Sequence, residues 1–165
     1  MNRTLIVYGT RRGTTETTAQ VIAETLILKH KFDVEITNIK RIKKFKRRLD
    51  DFDNLIVGSS IVSGRWKSSV LHFLKKYDFN NQKVALFVTA GGTMNKEKKY
   101  GLSREQVRGE AIQNYIDNYL DKFSFTPVAK TAFGGRVVRS HKEKYNSWRR
   151  EDIEGWAIQL GKILV

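Results

Sequence analysis

Short apolar runs that alternate with helix-like segments constrain the fold of this chain most strongly. Residues 4–8, 55–58 and 84–88 are apolar almost throughout, and residues 33–39 and 128–133 are two further β-prone runs. Strands that are apolar on both faces are typical of a parallel sheet covered by helices. The pattern therefore predicts an α/β fold in which five strands form one sheet and each strand is followed by a helix or a helix-length segment.

Amphipathic helices are predicted between the strands. Ser68 or Ser69 is expected to cap one helix, and Ser103 with Gln106 forms a capping box that opens a long helix extending to Phe123. The segment 40–49 is either a short helix or an irregular basic loop. Apolar residues recur at helical spacing in the first helix and in the last, at Ala19, Ile22, Ala23 and Leu26 and at Ile153, Trp156, Ala157, Leu160 and Leu164.

The composition limits the chemistry that the chain can support. Its 165 residues contain no cysteine and three scattered histidines, which excludes disulfides and thiolate chemistry and argues against a metal site. We see no linker or repeat, so we expect a single domain over residues 1–165. No apolar stretch approaches the ~20 residues of a spanning helix. We therefore expect a cytoplasmic protein, with peripheral association with a membrane as the alternative.

Three loops rich in Gly, Ser and Thr follow the first, third and fourth strands. Because ligands of open parallel sheets bind at the carboxyl ends of the strands, these loops are the candidate site. Small hydroxyl side chains, backbone N–H groups and two arginines in the first loop favour an anion such as phosphate, although a solvated turn with a Thr cap has the same composition. The first loop comprises Gly9, Thr10, Arg11, Arg12, Gly13, Thr14 and Thr15.

The second and third loops have simpler interpretations when each is taken alone. In the second loop, Trp66 either covers a flat ligand or packs on the following helix. In the third loop, the paired glycines Gly91 and Gly92 either let a ligand approach the backbone or make a flexible loop. The candidate residues of the second loop are Ser59, Ser60, Ile61, Ser63, Gly64 and Trp66, and those of the third are Ala90, Gly91, Gly92 and Met94, with Tyr100 shortly after.

Together the three loops resemble those of the flavodoxin family. The family's phosphate loop reads Thr/Ser-x-Thr-Gly-x-Thr, and this chain is similar to it at Thr10, Gly13 and Thr15 but has Arg12 where many members have Thr. The resemblance covers essentially the whole chain. It implies a three-layer sandwich with a five-stranded parallel sheet in the order 2-1-3-4-5, and FMN as the cofactor.

Within that family the loops look closest to the flavodoxin-like, quinone-dependent protoporphyrinogen oxidases. The first loop is similar to Ser-Thr-Arg-x-Gly-x-Thr, and residues 58–64 are similar to Gly-Ala-Ser-Ile-x-x-Gly. These oxidases carry a long basic insertion before the final helix, whereas residues 136–150 here form only a short segment. That departure weighs against the oxidase activity but not against the flavin.

The resemblance also implies a role for each loop. Residues Thr10 to Thr15 would hold the FMN phosphate, and the other two loops would flank the isoalloxazine ring. Trp66 would stack on the ring, with Tyr100 or Met94 opposite, and Gly64 would tolerate a backbone flip on reduction. No side chain is required as a general acid or base, because the flavin carries the redox chemistry.

A formal net charge of +14 favours anionic partners. The basic run Lys40–Arg48 is either a solvated face or a docking surface for an acidic redox protein or an anionic membrane, whereas nucleic acid is disfavoured because no known binding motif is present. The same charge predicts a higher potential for the hydroquinone couple of FMN than in acidic flavodoxins.

Three functions are consistent with the sequence. The first is an FMN-dependent electron carrier or small oxidoreductase, which exchanges electrons with a redox partner protein or with a small-molecule or quinone acceptor. The second is a protoporphyrinogen oxidase-like enzyme of heme biosynthesis. The third is a flavin-free module that binds a partner through its basic surface. Bound flavin separates the third from the other two, and substrate-dependent flavin reduction separates the second from the first.

Overall fold

The computed structural model describes residues 2–79 and 81–165. Its strands β1 (Arg3–Gly9), β2 (Asp33–Asn38), β3 (Asn54–Ser60), β4 (Lys83–Thr89) and β5 (Ala129–Phe133) form one sheet in the order β2-β1-β3-β4-β5. All four pairings in this sheet are parallel. The predicted α/β class, strand count and strand order are therefore confirmed.

Helices cover both faces of the sheet. The main ones are α1 (Thr14–His30), α2 (Ser68–Lys76), α5 (Arg104–Tyr115) and α6 (Arg150–Leu164), and two short helices, α3 (Gly91–Met94) and α4 (Lys96–Tyr100), follow β4. Shorter 3-10 helices span Ile39–Phe45, Leu49–Asp51 and Asp117–Lys122.

Strand alternation divides the core into two layers. Leu5 and Val7 of β1 pack with α2 and α5, whereas Ile6 and Tyr8 of the same strand pack with α1 and α6. The side chains of β3 and β4 alternate between the two layers in the same way. Burial on both faces explains why these strands are apolar throughout rather than alternating with polar residues.

The helix boundaries differ from the prediction in two places. The capping box of Ser103 and Gln106 opens α5 as predicted, but α5 ends at Tyr115 and a 3-10 helix continues over Asp117–Lys122. The predicted cap of α2 by Ser68 or Ser69 is wrong, because Lys67 occupies the N-cap position and makes no side-chain cap.

Residues 136–150, interpreted from the sequence only as a short segment before the last helix, contain an antiparallel hairpin. Strands β6 (Arg136–Arg139) and β7 (Lys142–Asn146) pair through a two-residue turn, Ser140 and His141, which have φ of 51° and 61°. A two-residue turn with positive φ at both residues has a backbone twist that matches the right-handed twist of the two strands it connects. The basic run that begins at Lys40 is mostly a 3-10 helix rather than a loop.

Candidate functional site

The register of the sheet brings the three predicted loops together. Gly9 at the end of β1 pairs with Ser59, and Ser60 at the end of β3 pairs with Thr89 at the end of β4. The chain segments that leave these strands therefore start side by side at the carboxyl edge of the sheet. A cavity of about 480 Å³ lies between them.

The first loop is a tight turn that starts α1 at the cavity. Gly13 has a left-handed φ of 87°, and its N–H donates to Thr10 Oγ1 at 2.8 Å. Thr14 and Thr15 open the helix and line the cavity. Because the first N–H groups of a helix have no intrahelical acceptor and carry its positive dipole end, this end of α1 is suited to an anion.

Hydroxyl groups form a second set of donors on the wall of the cavity. The Oγ1 atoms of Thr15 and Thr89 are 2.8 Å apart and hydrogen-bonded to each other. Ser60 Oγ is buried and, within the part of the chain that the structure describes, is the one buried side-chain N or O atom without a hydrogen-bond partner. A buried hydroxyl is costly when it is unpaired, so Ser60 fits a site whose polar ligand completes the bonding.

The second loop forms a small turn against the cavity. Val62 and Arg65 exchange backbone hydrogen bonds of 3.0 and 3.1 Å, and between them Ser63 and Gly64 have positive φ of 52° and 73°. Ser63 and Gly64 both line the cavity. Because glycine adopts either sign of φ readily, the backbone at Gly64 can change conformation with little strain.

The two arginines of the first loop join it to neighbouring segments. The guanidinium of Arg11 donates to the carbonyls of Ser60, Arg65 and Trp66, the shortest of these bonds being 3.0 Å to Trp66. Arg12 donates to the carbonyl of Val138 in the hairpin at 2.7 Å. Both side chains line the cavity, so their charge lies at the site although part of their donor capacity is used within the protein.

The lining of the cavity is rich in cationic side chains. Besides Arg11 and Arg12, its lining includes Lys96, Arg136 and Arg139, and none of the described residues that line it is a carboxylate. Lys96 and Arg136 form ion pairs with Glu110 and Glu143 outside the lining. A hydrogen bond from Lys96 to Glu110 raises the pKa of Lys96 above its ordinary value, and the same contact pairs its charge with a carboxylate. This lining composition favours an anionic ligand over a cationic one.

Most of the sequence-predicted residues line this cavity, but five do not. Gly13 contributes backbone geometry, and Ser59 Oγ is buried, where it accepts from the N–H of Lys67 and donates to the carbonyl of Ser60. Those that line it are Thr10, Arg11, Arg12, Thr14, Thr15, Ser60, Ile61, Ser63, Gly64, Ala90, Gly91 and Gly92.

The other three are the side chains expected to contact a flavin ring. Trp66 is buried in the core and its indole Nε1 donates to the carbonyl of Tyr115. Met94 is also buried in the core, and Tyr100 is exposed on α4 outside the lining. Trp66 is thus packed inside the protein, but its hydrogen bond and ring contact are with Tyr115 and Tyr119 rather than with the following helix, α2, on which it was expected to pack.

Sequence reasoning missed the hairpin wall of the cavity and two tyrosines. Val137 and Tyr145 line the cavity from the hairpin, and Tyr115 lines it from α5, with its hydroxyl 3.0 Å from Thr93 Oγ1. The one local signal for the hairpin is the apolar pair Val137 and Val138 between arginines. The turn residues Ser140 and His141 carry no Asn-Gly or Asp-Gly signal.

These features define an α/β protein with a cavity lined by cationic and hydroxyl side chains at the carboxyl edge of its parallel sheet. A family model described as a flavodoxin domain matches residues 5–157. The chain therefore belongs to the flavodoxin-domain family. A search of the curated proteins found no match.

Solved structures agree with this family assignment at the level of the fold. A short-chain flavodoxin associated with a bacterial microcompartment is 17% identical, with all of both chains covered and a TM-score of 0.62. Oxidised flavodoxin 2 from Bacillus cereus is 15% identical over 98% of this chain and 97% of its own, with a TM-score of 0.57.

A third match is to part of a larger protein. Rubredoxin oxygen:oxidoreductase from the anaerobe Desulfovibrio gigas is 17% identical, with a TM-score of 0.60. The alignment covers 99% of this chain but 36% of that one, so this chain spans about a third of the oxidoreductase.

Across residues 2–79 and 81–165, none of the helices has the length and apolar character that crossing a membrane requires.

Proposed function

We propose that this protein binds FMN in the cavity and acts in electron transfer. The observation that carries the proposal is the convergence of three loops on one cavity rich in cationic side chains, at the carboxyl edge of a flavodoxin-type sheet. The unpaired hydroxyl of Ser60 supports it independently, because a buried polar atom without a partner fits a site that is completed by a ligand.

The first loop is suited to the FMN phosphate. Thr10 and Thr14 offer hydroxyl groups, the start of α1 offers backbone N–H groups, and the buried hydroxyl of Thr15 is bonded to Thr89. Arg12 supplies a cation where many family members have a threonine, and charge-assisted bonds to phosphate are the stronger kind. FMN would supply the redox chemistry, which is the capacity to take up and release electrons at its ring.

The remaining walls are suited to the ring. Ile61 and Gly64 lie on one loop and Ala90 to Gly92 on the other, and the paired glycines leave room for a flat ligand to approach the backbone. Because Trp66 and Met94 are buried in the core, we assign the aromatic contacts to Tyr115 and Tyr145 instead. Gly64 keeps the proposed role of accommodating a backbone flip.

The electron donor and acceptor are a redox partner protein or a small molecule such as a quinone. The fold neighbours include rubredoxin oxygen:oxidoreductase, whose name describes electron exchange with another protein and with oxygen. None of the matched proteins reported above is a protoporphyrinogen oxidase. We therefore favour electron transfer over that alternative, and substrate-dependent bleaching of the bound flavin by protoporphyrinogen would reverse the preference.

The test of FMN binding is an absorption spectrum of the purified protein before and after FMN is added and removed by desalting. Two flavin bands that persist through desalting support the proposal. Riboflavin, which lacks the phosphate, is the matched control and should bind at least about tenfold more weakly, because it cannot use the charged loop. Absence of retained FMN would overturn the proposal and favour the flavin-free module.

A further inference from the structure

The hairpin β6–β7 carries uncompensated positive charge beside the cavity. Residues 136–146 include four Lys or Arg side chains and one carboxylate, Glu143. That carboxylate is already paired with Arg136, at 3.5 Å. Lys142 and Lys144 are exposed, and within the described part of the chain neither forms an ion pair.

The position of the hairpin is fixed by contacts at its base. Ser147, which is buried directly after β7, donates its hydroxyl to the carbonyl of Gly91 or Gly135 at 3.1 or 3.2 Å. Arg12 of the first loop donates to the carbonyl of Val138 in β6. The hairpin is thereby tied to two of the loops that form the cavity, and its charges stand at the edge of the site.

We propose that the β6–β7 hairpin is the docking surface for a redox protein with an acidic surface, an inference whose electron-transfer part rests on the proposed function. Electron exchange needs the two redox centres to be close, so a partner must sit beside the cavity. The surface there is positive, and complementary charge steers association and fixes the orientation of a complex. The partner's contact surface is therefore acidic.

The composition of the hairpin favours a protein over other anionic partners. The exposed large apolar side chains of the described residues lie elsewhere, at Ile27, Leu28, Ile36, Tyr100, Val128, Ile163 and Val165. The hairpin therefore has no apolar wedge with which to enter a membrane. Its one Phe, Trp or Tyr residue, Tyr145, lines the cavity and is partly buried, so among residues 136–146 no exposed Phe, Trp or Tyr ring is available for bases to stack on.

The other basic surface, the run Lys40–Arg48, provides a matched control. None of its residues lines the cavity. Lys43 and Lys44 are exposed, as Lys142 and Lys144 are. The double variants Lys142→Glu/Lys144→Glu and Lys43→Glu/Lys44→Glu therefore change the net charge equally, but only the first changes the hairpin. Circular dichroism establishes that both variants are folded.

Binding is measured first, by calorimetry, and does not depend on flavin. The probe is cytochrome b5, an acidic haem protein. Binding is measured in two buffers, one with about 20 mM salt and one with about 200 mM salt. We expect the higher salt and the hairpin variant each to weaken binding by about tenfold, and the control variant to weaken it less than about threefold. Equal losses in both variants, no loss in the hairpin variant, or no binding at all would overturn the proposal.

Two further measurements separate the remaining alternatives. If the protein retains FMN, stopped-flow oxidation of the reduced protein by cytochrome b5 should slow about tenfold in the hairpin variant only. If it retains none, the proposed function fails while calorimetry still decides the docking. Binding to phosphatidylserine vesicles that is lost in the hairpin variant, with cytochrome binding unchanged, would assign the hairpin to a membrane and overturn the proposal.

Discussion

At the scale of the residue, the neighbouring hydroxyls of Ser59 and Ser60 differ in role: the first is bonded within the protein and the second is unpaired. Both are buried at the end of β3. Ser59 Oγ has a donor and an acceptor within the protein, whereas Ser60 Oγ is buried without a partner among the described residues, and Ser60 lines the cavity. An unpaired buried polar atom costs about 1–3 kcal/mol, so Ser60 destabilises the protein without ligand and is available to one.

We therefore expect Ser60→Ala to stabilise the ligand-free protein by about 1 kcal/mol and to weaken FMN binding by about fivefold to tenfold. Urea unfolding of the FMN-free protein and a fluorescence titration with FMN measure the two effects. Ser59→Ala is the matched control and should lower the free energy of unfolding by about 1 kcal/mol. Weaker folding in Ser60→Ala would show that its hydroxyl is satisfied within the protein.

Trp66 is a residue whose role changed once its surroundings were known. Its indole packs in the core beside Tyr119 and its N–H caps the end of α5 by donating to the carbonyl of Tyr115. Trp66→Phe keeps most of the apolar contact but leaves that carbonyl unpaired. The free energy of unfolding should fall by about 1–3 kcal/mol.

FMN affinity in Trp66→Phe should stay within about threefold of wild type, because the side chain does not line the cavity. Tyr145→Phe tests only the hydroxyl, whereas Tyr145→Ala removes the ring now assigned to the ligand and should weaken binding by about tenfold. The opposite result would be an unchanged free energy of unfolding and a large loss of FMN affinity in Trp66→Phe. That result would show that Trp66 contacts the isoalloxazine ring.

At the scale of the element, the junction between β5 and the hairpin is packed too closely for a side chain at residue 134. A Cβ on Gly134 would lie 1.8 Å from the carbonyl oxygen of Ser147, which is backbone and cannot rotate away. The same segment positions Gly135 and Arg136 at the cavity. The strand and the hairpin can therefore keep this geometry only with glycine at residue 134.

Gly134→Ala should lower the free energy of unfolding by about 2–3 kcal/mol and weaken FMN binding by at least about tenfold. Chemical denaturation and a flavin titration measure both effects. Gly109→Ala is the control on an exposed turn of α5, where a Cβ meets no atom within 4 Å. It should stabilise the protein by up to about 1 kcal/mol, because alanine favours helix. Equal behaviour of the two variants would contradict the packing argument.

The elements also show how far sequence reasoning reaches. Strands such as β1, β3 and β4 were predictable because burial on both faces leaves a continuous apolar run. The end of α5 at Tyr115 was not, since Ile116 and Tyr119 keep the helical spacing and a tertiary bond from Trp66 caps the helix. The hairpin was not predictable for a similar reason, because its position depends on hydrogen bonds from Ser147 to Gly91 and from Arg12 to Val138, which join residues remote in sequence.

At the scale of the whole molecule, part of the excess positive charge lies at the cavity, where it can act on a flavin. The described residues of the cavity lining include five Lys or Arg side chains and no carboxylate, and Arg11, Arg12 and Arg139 among them form no ion pair in that part of the chain. Reduced FMN can carry a negative charge on its ring, and nearby cations lower the free energy of that form. A basic cavity should therefore raise the potential at which FMN becomes fully reduced, relative to a flavodoxin with acidic surroundings.

Arg139 provides the sharpest test, because it lines the cavity and, in the described part of the chain, forms no ion pair. Arg139→Gln should lower the potential of the final reduction step by roughly 40 mV, if one partly screened charge contributes about 1 kcal/mol. Lys43→Gln removes the same charge outside the cavity and should shift the potential much less. Spectroelectrochemical titration of each FMN-loaded protein gives the values.

Salt supplies an independent check on the sign of this effect. Screening of the cations weakens their hold on the reduced ring, so added salt should lower the potential in wild type and lower it less in Arg139→Gln. A potential that rises with salt would mean that negative groups dominate the field at the ring. A fully reduced state reached only at potentials as low as those of acidic flavodoxins would likewise contradict the argument, because charge in the lining would then exert no control over the cofactor.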